Sequence, residues 1–215
     1  NYVTRSDRAD GIVEKIKSKG RNAIAVQADV SKEADVSRMF ETVDNELGSP
    51  NGLVNSAGIT AGISRLDDER ITEELLANLW AINISGTILP CRYAILRMST
   101  NHGGNGGAIV NVGSIASKIG AGGVYVDYTA SKGAVDAFTV GLAREVAREG
   151  IRVNCVRPGL TDTEIQPEGR VEQVGPNLPI GRAAEAHEIA SVILNLLSED
   201  SSYVSGAIVD IAAAM

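Results

Sequence analysis

Short β-branched runs alternate along the chain with stretches in which apolar residues return every three or four positions. Behind Asp7, a plausible N-cap, Ala9, Ile12, Val13 and Ile16 recur at helical spacing, and Gly20 supplies the stop. Ala23-Ile24-Ala25-Val26-Gln27-Ala28 predicts a buried strand. Ser31 then caps a helix whose Val36, Met39, Phe40, Val43 and Leu47 form one stripe, closed by Gly48 and Pro50. Gly52-Leu53-Val54-Asn55 predicts a short strand running into Ser56-Ala57-Gly58. A long helical stretch is expected from Thr72 to about Met98, with a kink or break near Gly86 and Pro90. Ala108-Ile109-Val110-Asn111-Val112 predicts a strand ending at Gly113-Ser114, and Val126 to Arg148 a helix with Gly150 beyond it. Ile151-Arg152-Val153-Asn154-Cys155-Val156 follows as a strand stopped by Pro158-Gly159. A loop to about Ile180, a helix Glu185–Ser198 and a strand Ala207–Ile211 complete the pattern.

Strands that alternate with helices and are mostly apolar imply a parallel sheet covered on both faces, a doubly wound α/β fold. Ligands of such sheets bind outside the carboxyl ends of the strands. Polar residues stand at several of those ends: Asp29, Asn55, Ser114 and Arg157. With no internal repeat, low-complexity tract or linker, residues 1–215 are expected to form one domain.

Charge narrows the partners. The 215 residues carry 20 basic and 27 acidic side chains, a net charge of -7, which argues against nucleic acid and anionic membrane surfaces. No apolar run approaches the ~18–20 residues that cross a bilayer, the longest candidate being Gly206–Met215. Asn1-Tyr2-Val3-Thr4-Arg5-Ser6 resembles neither a signal nor a transit peptide, so the expected location is cytoplasmic. Cys91 and Cys155 lie far apart in apolar stretches, where buried reduced thiols are expected. His102 falls in a glycine-rich surface loop and His187 on the solvated face of the Glu185–Ser198 helix. Two scattered histidines and no CxxC leave no expected metal site.

Tyr128 and Lys132 sit at i and i+4, neighbours on one helix face. A phenol with a reference pKa of about 10 is a poor base at neutral pH. An ammonium held close favours the phenolate, and a shift of two or three units needs roughly 3–4 kcal/mol. That would let Tyr128 exchange a proton with an alcohol or carbonyl oxygen near pH 7. Taken alone the pair is also an ordinary helix-surface contact. Ser114, just past a strand, can donate to a substrate oxygen beside the tyrosine, or serve as a turn residue. Asn83 in Ala81-Ile82-Asn83-Ile84-Ser85-Gly86 is either a satisfied core amide or part of a proton path.

Taken in order, Asn55-Ser56-Ala57-Gly58, Asn83, Ser114, Tyr128-x3-Lys132 and Arg157-Pro158-Gly159 with Thr163 resemble the signatures of the short-chain dehydrogenase/reductase family, over nearly the whole chain. The nearest likeness is to bacterial reductases related to 3-oxoacyl carrier-protein reductase and glucose dehydrogenase. The resemblance implies a Rossmann-like fold and an NAD(P)-dependent oxidoreductase interconverting a secondary alcohol and a ketone. It implies Tyr128 as general acid/base. Lys132 would bind ribose hydroxyls and depress the tyrosine pKa, Ser114 would orient the reacting oxygen, and Asn83 would hold a water linking Lys132 to solvent. Asp29-Val30 would frame the adenine; Asn55, Ala57 and Gly58 the adenosine-side turn; Pro158, Gly159 and Thr163 the nicotinamide and pyrophosphate. Relatives of this kind usually form tetramers through helices matching Thr72–Met98 and Val126–Arg148, and Ala130, Ala134, Ala137 and Gly141 give the latter a small-residue stripe, which could equally pack within one subunit.

The sequence departs from the family at three places. Ser56 replaces the second Asn of Asn-Asn-Ala-Gly, and Asp210-Ile211-Ala212-Ala213-Ala214-Met215 lacks the glycine pair more frequent in relatives. The family's opening strand, Gly-rich turn and helix are absent from the sequence, Asn1-Tyr2 resembling the end of a second strand; the sequence is therefore expected to be part of a longer chain. No carboxylate stands at that strand's end before Asp7. Arg5, helped by Thr4 or Ser6, could pair with a 2′-phosphate, or be a solvated loop residue, so NADP(H) is expected over NAD(H), with NAD(H) possible. A catalytically silent nucleotide-binding or scaffold protein is the alternative, against which the complete Asn83–Ser114–Tyr128–Lys132 set argues. Loops Thr60–Ile71, Ile115–Val124 and Thr161–Ile180 do not select a substrate beyond a small carbonyl or alcohol.

Overall fold

The computed structural model describes residues 1–215 and orders them as α1 (Ser6–Lys17), α2 (Glu33–Leu47), β1 (Gly52–Asn55), α3 (Glu73–Trp80), α4 (Gly86–Met98), β2 (Gly107–Val112), α5 (Ala116–Ile119), α6 (Val126–Val146), β3 (Ile151–Pro158), β4 (Thr161–Asp162), α7 (Arg170–Val174), β5 (Ala184–Glu185), α8 (Ala186–Leu197) and β6 (Ile208–Ile211). The main sheet runs β1-β2-β3-β6, all parallel, with Val54 beside Val110, Val110 beside Asn154 and Val156 beside Val209. Successive strand residues point to opposite faces. Ile109, Ile151 and Val153 therefore pack with Val36 and Phe40 of α2, Cys91, Ala94 and Met98 of α4, and Leu142, Ala143 and Val146 of α6. Val110 and Val156 face the other way, onto Ile189 and Leu196 of α8. Helices on both faces make this the doubly wound α/β fold that the alternation predicts. β4 and β5 pair separately, and α7 interrupts the expected loop to Ile180.

Several local expectations need correction. Ala23–Ala28 is extended, yet it forms one parallel bridge, Tyr2 to Gln27, and no strand. Tyr2 N–H donates to the Val26 carbonyl at 3.1 Å and Ala28 N–H to the Tyr2 carbonyl at 2.9 Å. Turn and helix residues follow Tyr2 at once, so a ladder has nothing further to pair with. Helix α1 starts two residues earlier than expected, with Arg5 rather than Asp7 at the cap, and buries none of its residues. Helix α2 is capped at Lys32 without a side-chain bond, because the Ser31 hydroxyl donates instead to Asp29 Oδ1 at 2.7 Å.

The long helix breaks one turn before the expected place. Thr72 caps α3, its side chain accepting from Leu75 N–H, and a π turn at Ala81–Ser85 joins α3 to α4. The widened turn falls where Asn83 leaves the helix surface to bond other segments, a frequent setting for such turns. Pro90 lies within α4, and Gly86 is required because a Cβ there would meet Val30 Cγ2 at 2.7 Å. Glu73–Met98 spans 26 residues and is long and apolar enough to cross a membrane by length and composition, contrary to the sequence reading. Here it is a core element: Asn83, Thr87, Cys91, Ala94 and Met98 are buried, and α4 packs on α2 and β1.

Candidate active site

A cavity of about 600 Å³ opens beyond the carboxyl ends of β1, β2 and β3. Gly58 follows β1, Gly113 and Ser114 follow β2, Pro158 and Gly159 end β3, and Tyr128 and Lys132 project from the first turns of α6; all of these line it, as does Thr163. Gly113 keeps β2 close to β3, since a Cβ there would lie 2.9 Å from Cys155 Sγ. Gly159 has no more room, a Cβ falling 2.9 Å from Ala212 Cα. Tyr128 and Lys132 are buried, at 8% and 4% exposure. Lys132 Nζ donates to the Val112 carbonyl at 2.8 Å and stands 5.8 Å from the Tyr128 ring centroid. Ser114 Oγ accepts from Ala116 N–H at 3.2 Å, which orients the hydroxyl at the end of β2.

Burial dominates the electrostatics. It raises the Tyr128 phenol above its ordinary pKa; the Ser114 hydroxyl pulls in the opposite direction, and the nearby Tyr125 adds a smaller rise. Burial outweighs any lowering influence, so the expectation of a depressed Tyr128 pKa is not met in this structure: the same dry surroundings that hinder the phenolate also bring Lys132 down to about 8. At pH 7 the site therefore holds a neutral phenol beside a still largely protonated lysine. That is the state from which a proton can be given away.

Asn83 is fully buried and fully bonded. Its Oδ1 accepts from Ile59 N–H at 2.9 Å, and its Nδ2 donates to the Ile59 carbonyl and to Ser131 Oγ, each at 3.0 Å. It stands behind Gly58: a Cβ on that glycine would lie 3.4 Å from both Asn83 Oδ1 and Lys132 Nζ. Asn55 is also turned inward, donating to Asn111 Oδ1 at 2.9 Å, Cys91 Sγ at 3.1 Å and the Thr87 carbonyl at 3.4 Å. Its side chain ties the end of β1 to β2 and α4. Val30, Asn55 and Ala57 border a second cavity of about 230 Å³ beside β1. Asp29 lines neither cavity; its carboxylate accepts from Ser31 N–H and Oγ and is held below the usual range by that serine. Arg5 is likewise outside both cavities, forked onto Asp7 by Nε at 3.0 Å and Nη2 at 2.9 Å on the exposed surface. The two side chains flank the first turn of α1, and their opposite charges meet there. Arg157 points away from the cavity to Asp136, donating from Nη2 at 2.8 Å.

Comparisons with known proteins decide the family. The family model described as enoyl-(acyl carrier protein) reductase matches residues 2–213. The uncharacterized oxidoreductase YgfF of Escherichia coli K12 is 44% identical over 216 residues, covering 99% of this chain and 87% of that protein. The chain belongs to the short-chain dehydrogenase/reductase family. The human 3-oxoacyl-[acyl-carrier-protein] reductase is 40% identical over 187 residues, covering 87% of this chain and 75% of that one. A blue fluorescent protein from a metagenomic library, solved in complex with NADPH, superposes with a TM-score of 0.88 at 30% identity, covering 99% of this chain and 85% of that chain.

As a short-chain dehydrogenase/reductase the protein is an NAD(P)-dependent oxidoreductase that acts on small molecules and binds a nicotinamide cofactor. The residues present suit that cofactor. Gly58 and Gly159 let backbone approach the cavity, and Lys132 uses one of its three donors on Val112, keeping two for hydroxyl groups. The thiols take no part: burial pushes Cys91 and Cys155 each to about 12. Sequence reasoning missed Tyr125, packed edge-on to Tyr128 at 5.4 Å, and Arg170, whose Nη2 donates to Tyr125 Oη at 3.3 Å. It also missed the Val112 carbonyl that anchors Lys132 and the Ser131 hydroxyl that bonds Asn83. An arginine and a tyrosine in otherwise mixed loops were the available signals, 45 residues apart and without a shared motif.

Proposed function

We propose that the protein interconverts a secondary alcohol and a ketone with NADP(H) in preference to NAD(H), Tyr128 exchanging the proton. The observation that carries this reading is the meeting of Ser114, Tyr128 and Lys132, from β2 and α6, in one cavity beyond the strand ends. When bound, the nicotinamide supplies or accepts hydride. Tyr128 Oη gives its proton to the substrate oxygen in reduction and takes it back in oxidation, while Ser114 Oγ donates a hydrogen bond that keeps that oxygen in place. Lys132 holds ribose hydroxyls. Asn83 positions the Ile59 backbone and Ser131 next to Lys132. Gly58, Pro158, Gly159 and Thr163 border the cofactor.

The raised phenol pKa favours reduction near pH 7 and makes oxidation climb with pH. Preference for NADP(H) is supported by the NADPH bound to the 30%-identical relative and by Arg5, an exposed cation that can exchange Asp7 for a 2′-phosphate. A cytoplasmic, one-domain protein that assembles as a homotetramer belongs to the same reading. Ala130, Ala137 and Gly141 on α6 and Trp80, Ile88 and Leu96 on α3 and α4 are exposed, as close helix contacts between copies require.

Tyr128→Phe tests the central step. Ketone-dependent NADPH oxidation should fall by about a hundred- to ten-thousandfold in kcat, with a melting temperature close to wild type. Full turnover by the variant would exclude the tyrosine as acid/base and revive the silent-scaffold alternative. Comparing kcat/KM for NADPH and NADH tests the cofactor choice.

A further inference from the structure

The charges around the large cavity are of one sign. Lys132 and Arg170 border it and no Asp or Glu does, in a chain whose net charge is -7. Lys132 belongs to the proton chemistry; Arg170, the first residue of α7, has no part in it. The guanidinium stacks on Tyr125, with Cζ 5.7 Å from the ring centroid, and Nη2 donates to Tyr125 Oη. Its Nε is buried without a hydrogen-bond partner. Asp127, the carboxylate nearest Tyr128 in the sequence, does not border the cavity. Nε is shut off by protein atoms, so a ligand in the cavity would meet the terminal Nη1 and Nη2, whose flat fork matches a carboxylate. The cavity lining also includes the apolar side chains of Ile63, Ile115, Ile119, Val124 and Ile165.

From this geometry we infer that the substrate is a keto acid, reduced to the hydroxy acid: its carbonyl at Ser114 and Tyr128, its carboxylate on Arg170, and an apolar spacer between them. The inference rests on the alcohol–ketone reading above. In the step, the C=O π bond is replaced by a C–H bond from the nicotinamide hydride and an O–H bond from the Tyr128 proton. The carboxylate keeps its charge and takes no part. Because the Tyr125 ring separates Arg170 from Tyr128, the carbonyl and carboxylate are several bonds apart.

The test measures NADPH oxidation by the natural protein with 4-oxopentanoate, 5-oxohexanoate and 7-oxooctanoate against their methyl esters. Acids should exceed esters in kcat/KM by about tenfold or more for at least one length. Arg170→Met should bring that ratio toward one, chiefly through KM of the acid, and Arg170→Lys should recover part of it. Equal rates with acids and esters overturn the keto-acid inference while leaving the oxidoreductase reading in place, as does a ratio unmoved by Arg170→Met. A rise in the KM of NADPH as the main effect would assign Arg170 to the cofactor and overturn it too. If no ketone of either kind is reduced, the proposed function falls. Calorimetry with 5-oxohexanoate then decides the anion site, which stands only if binding is seen and is lost in Arg170→Met.

Discussion

Helix α1 carries Ala9, Ile12, Val13 and Ile16 on a clean apolar stripe, yet none of its residues is buried. Helix α6 has its apolar residues scattered among polar ones, and ten of its residues are buried, including Asp127, Ser131, Lys132, Asp136 and Thr139. Periodicity therefore says that a helix has a face, and the neighbours decide whether that face is covered. Helix α6 lies against β3, α5 and the π turn, and segments around it supply partners for most of its buried polar groups, Asp127 Oδ2 and Thr129 Oγ1 excepted. Ser131 Oγ donates to the Tyr128 carbonyl and accepts from Asn83; Thr139 Oγ1 accepts from Asn111 Nδ2; Asp136 accepts from Arg157. Buried polar groups with partners are tolerated and fix their surroundings in one arrangement. A helix built that way can hold Tyr128 and Lys132 at a cavity wall. α1 has no such neighbours.

The largest stability effect is expected where that network is cut. Asn83→Ala leaves the Ile59 N–H and carbonyl and the Ser131 hydroxyl without the amide, and should cost about 3–4 kcal/mol in urea unfolding. A loss below about 1 kcal/mol would mean that water replaces the amide and that the polar face of α6 is not held by its partners.

Next comes Lys132, whose pKa in the fold is about 8 against 10.5 for the free side chain. Between those values the unfolded chain binds more protons than the folded one, so stability rises with pH across that window. Below pH 8 the full cost of burying the ammonium is present, about 3 kcal/mol, and above 10.5 it has gone. Lys132→Met removes the titrating group. Wild type minus variant, followed by urea unfolding at pH 7 and pH 10.5, should narrow by about that amount, while ketone reduction by the variant is impaired throughout. A difference that stays flat with pH would show that Lys132 keeps an ordinary pKa, and that α6 does not strain its own site.

The same contrast explains what could be read from the chain. β1, β2, β3, β6 and the longer helices between them were legible because each has a strong local period or a glycine stop, whereas the short α5 and α7 fell in stretches read as loops. The strand expected at Ala23–Ala28 failed for a non-local reason: its apolar run is real, with Ala28 nearly inaccessible, but Tyr2 alone stands beside it. Ser114, Tyr128 and Lys132 were legible as an ordered motif and do line one cavity. The inward turn of Asn55 and the fork of Arg5 onto Asp7 were not, since each depends on a partner brought near by folding or on one of several rotamers of a long side chain. Arg170 was invisible for a related reason. A lone arginine in a polar loop carries no pattern, and its place beside Tyr125 exists only once folding brings the start of α7 to the start of α6.

The smallest effect is expected on α1, and it tests the other half of the contrast. Ile12 is 54% exposed and Ile16 37%, so Ile12→Ser withdraws little apolar surface from contact and adds a hydroxyl that solvent satisfies. Serine has a slightly poorer helix propensity than alanine and about that of isoleucine, so the helix itself is barely changed. Urea unfolding should shift by no more than about 0.5 kcal/mol, the usual range for exposed positions. A loss of about 2 kcal/mol would instead carry the size of a buried isoleucine. It would mean that the stripe is covered in the natural protein, by another segment or another copy, and that α1 then obeys the same rule as α6: an apolar face becomes core when a neighbour arrives to meet it.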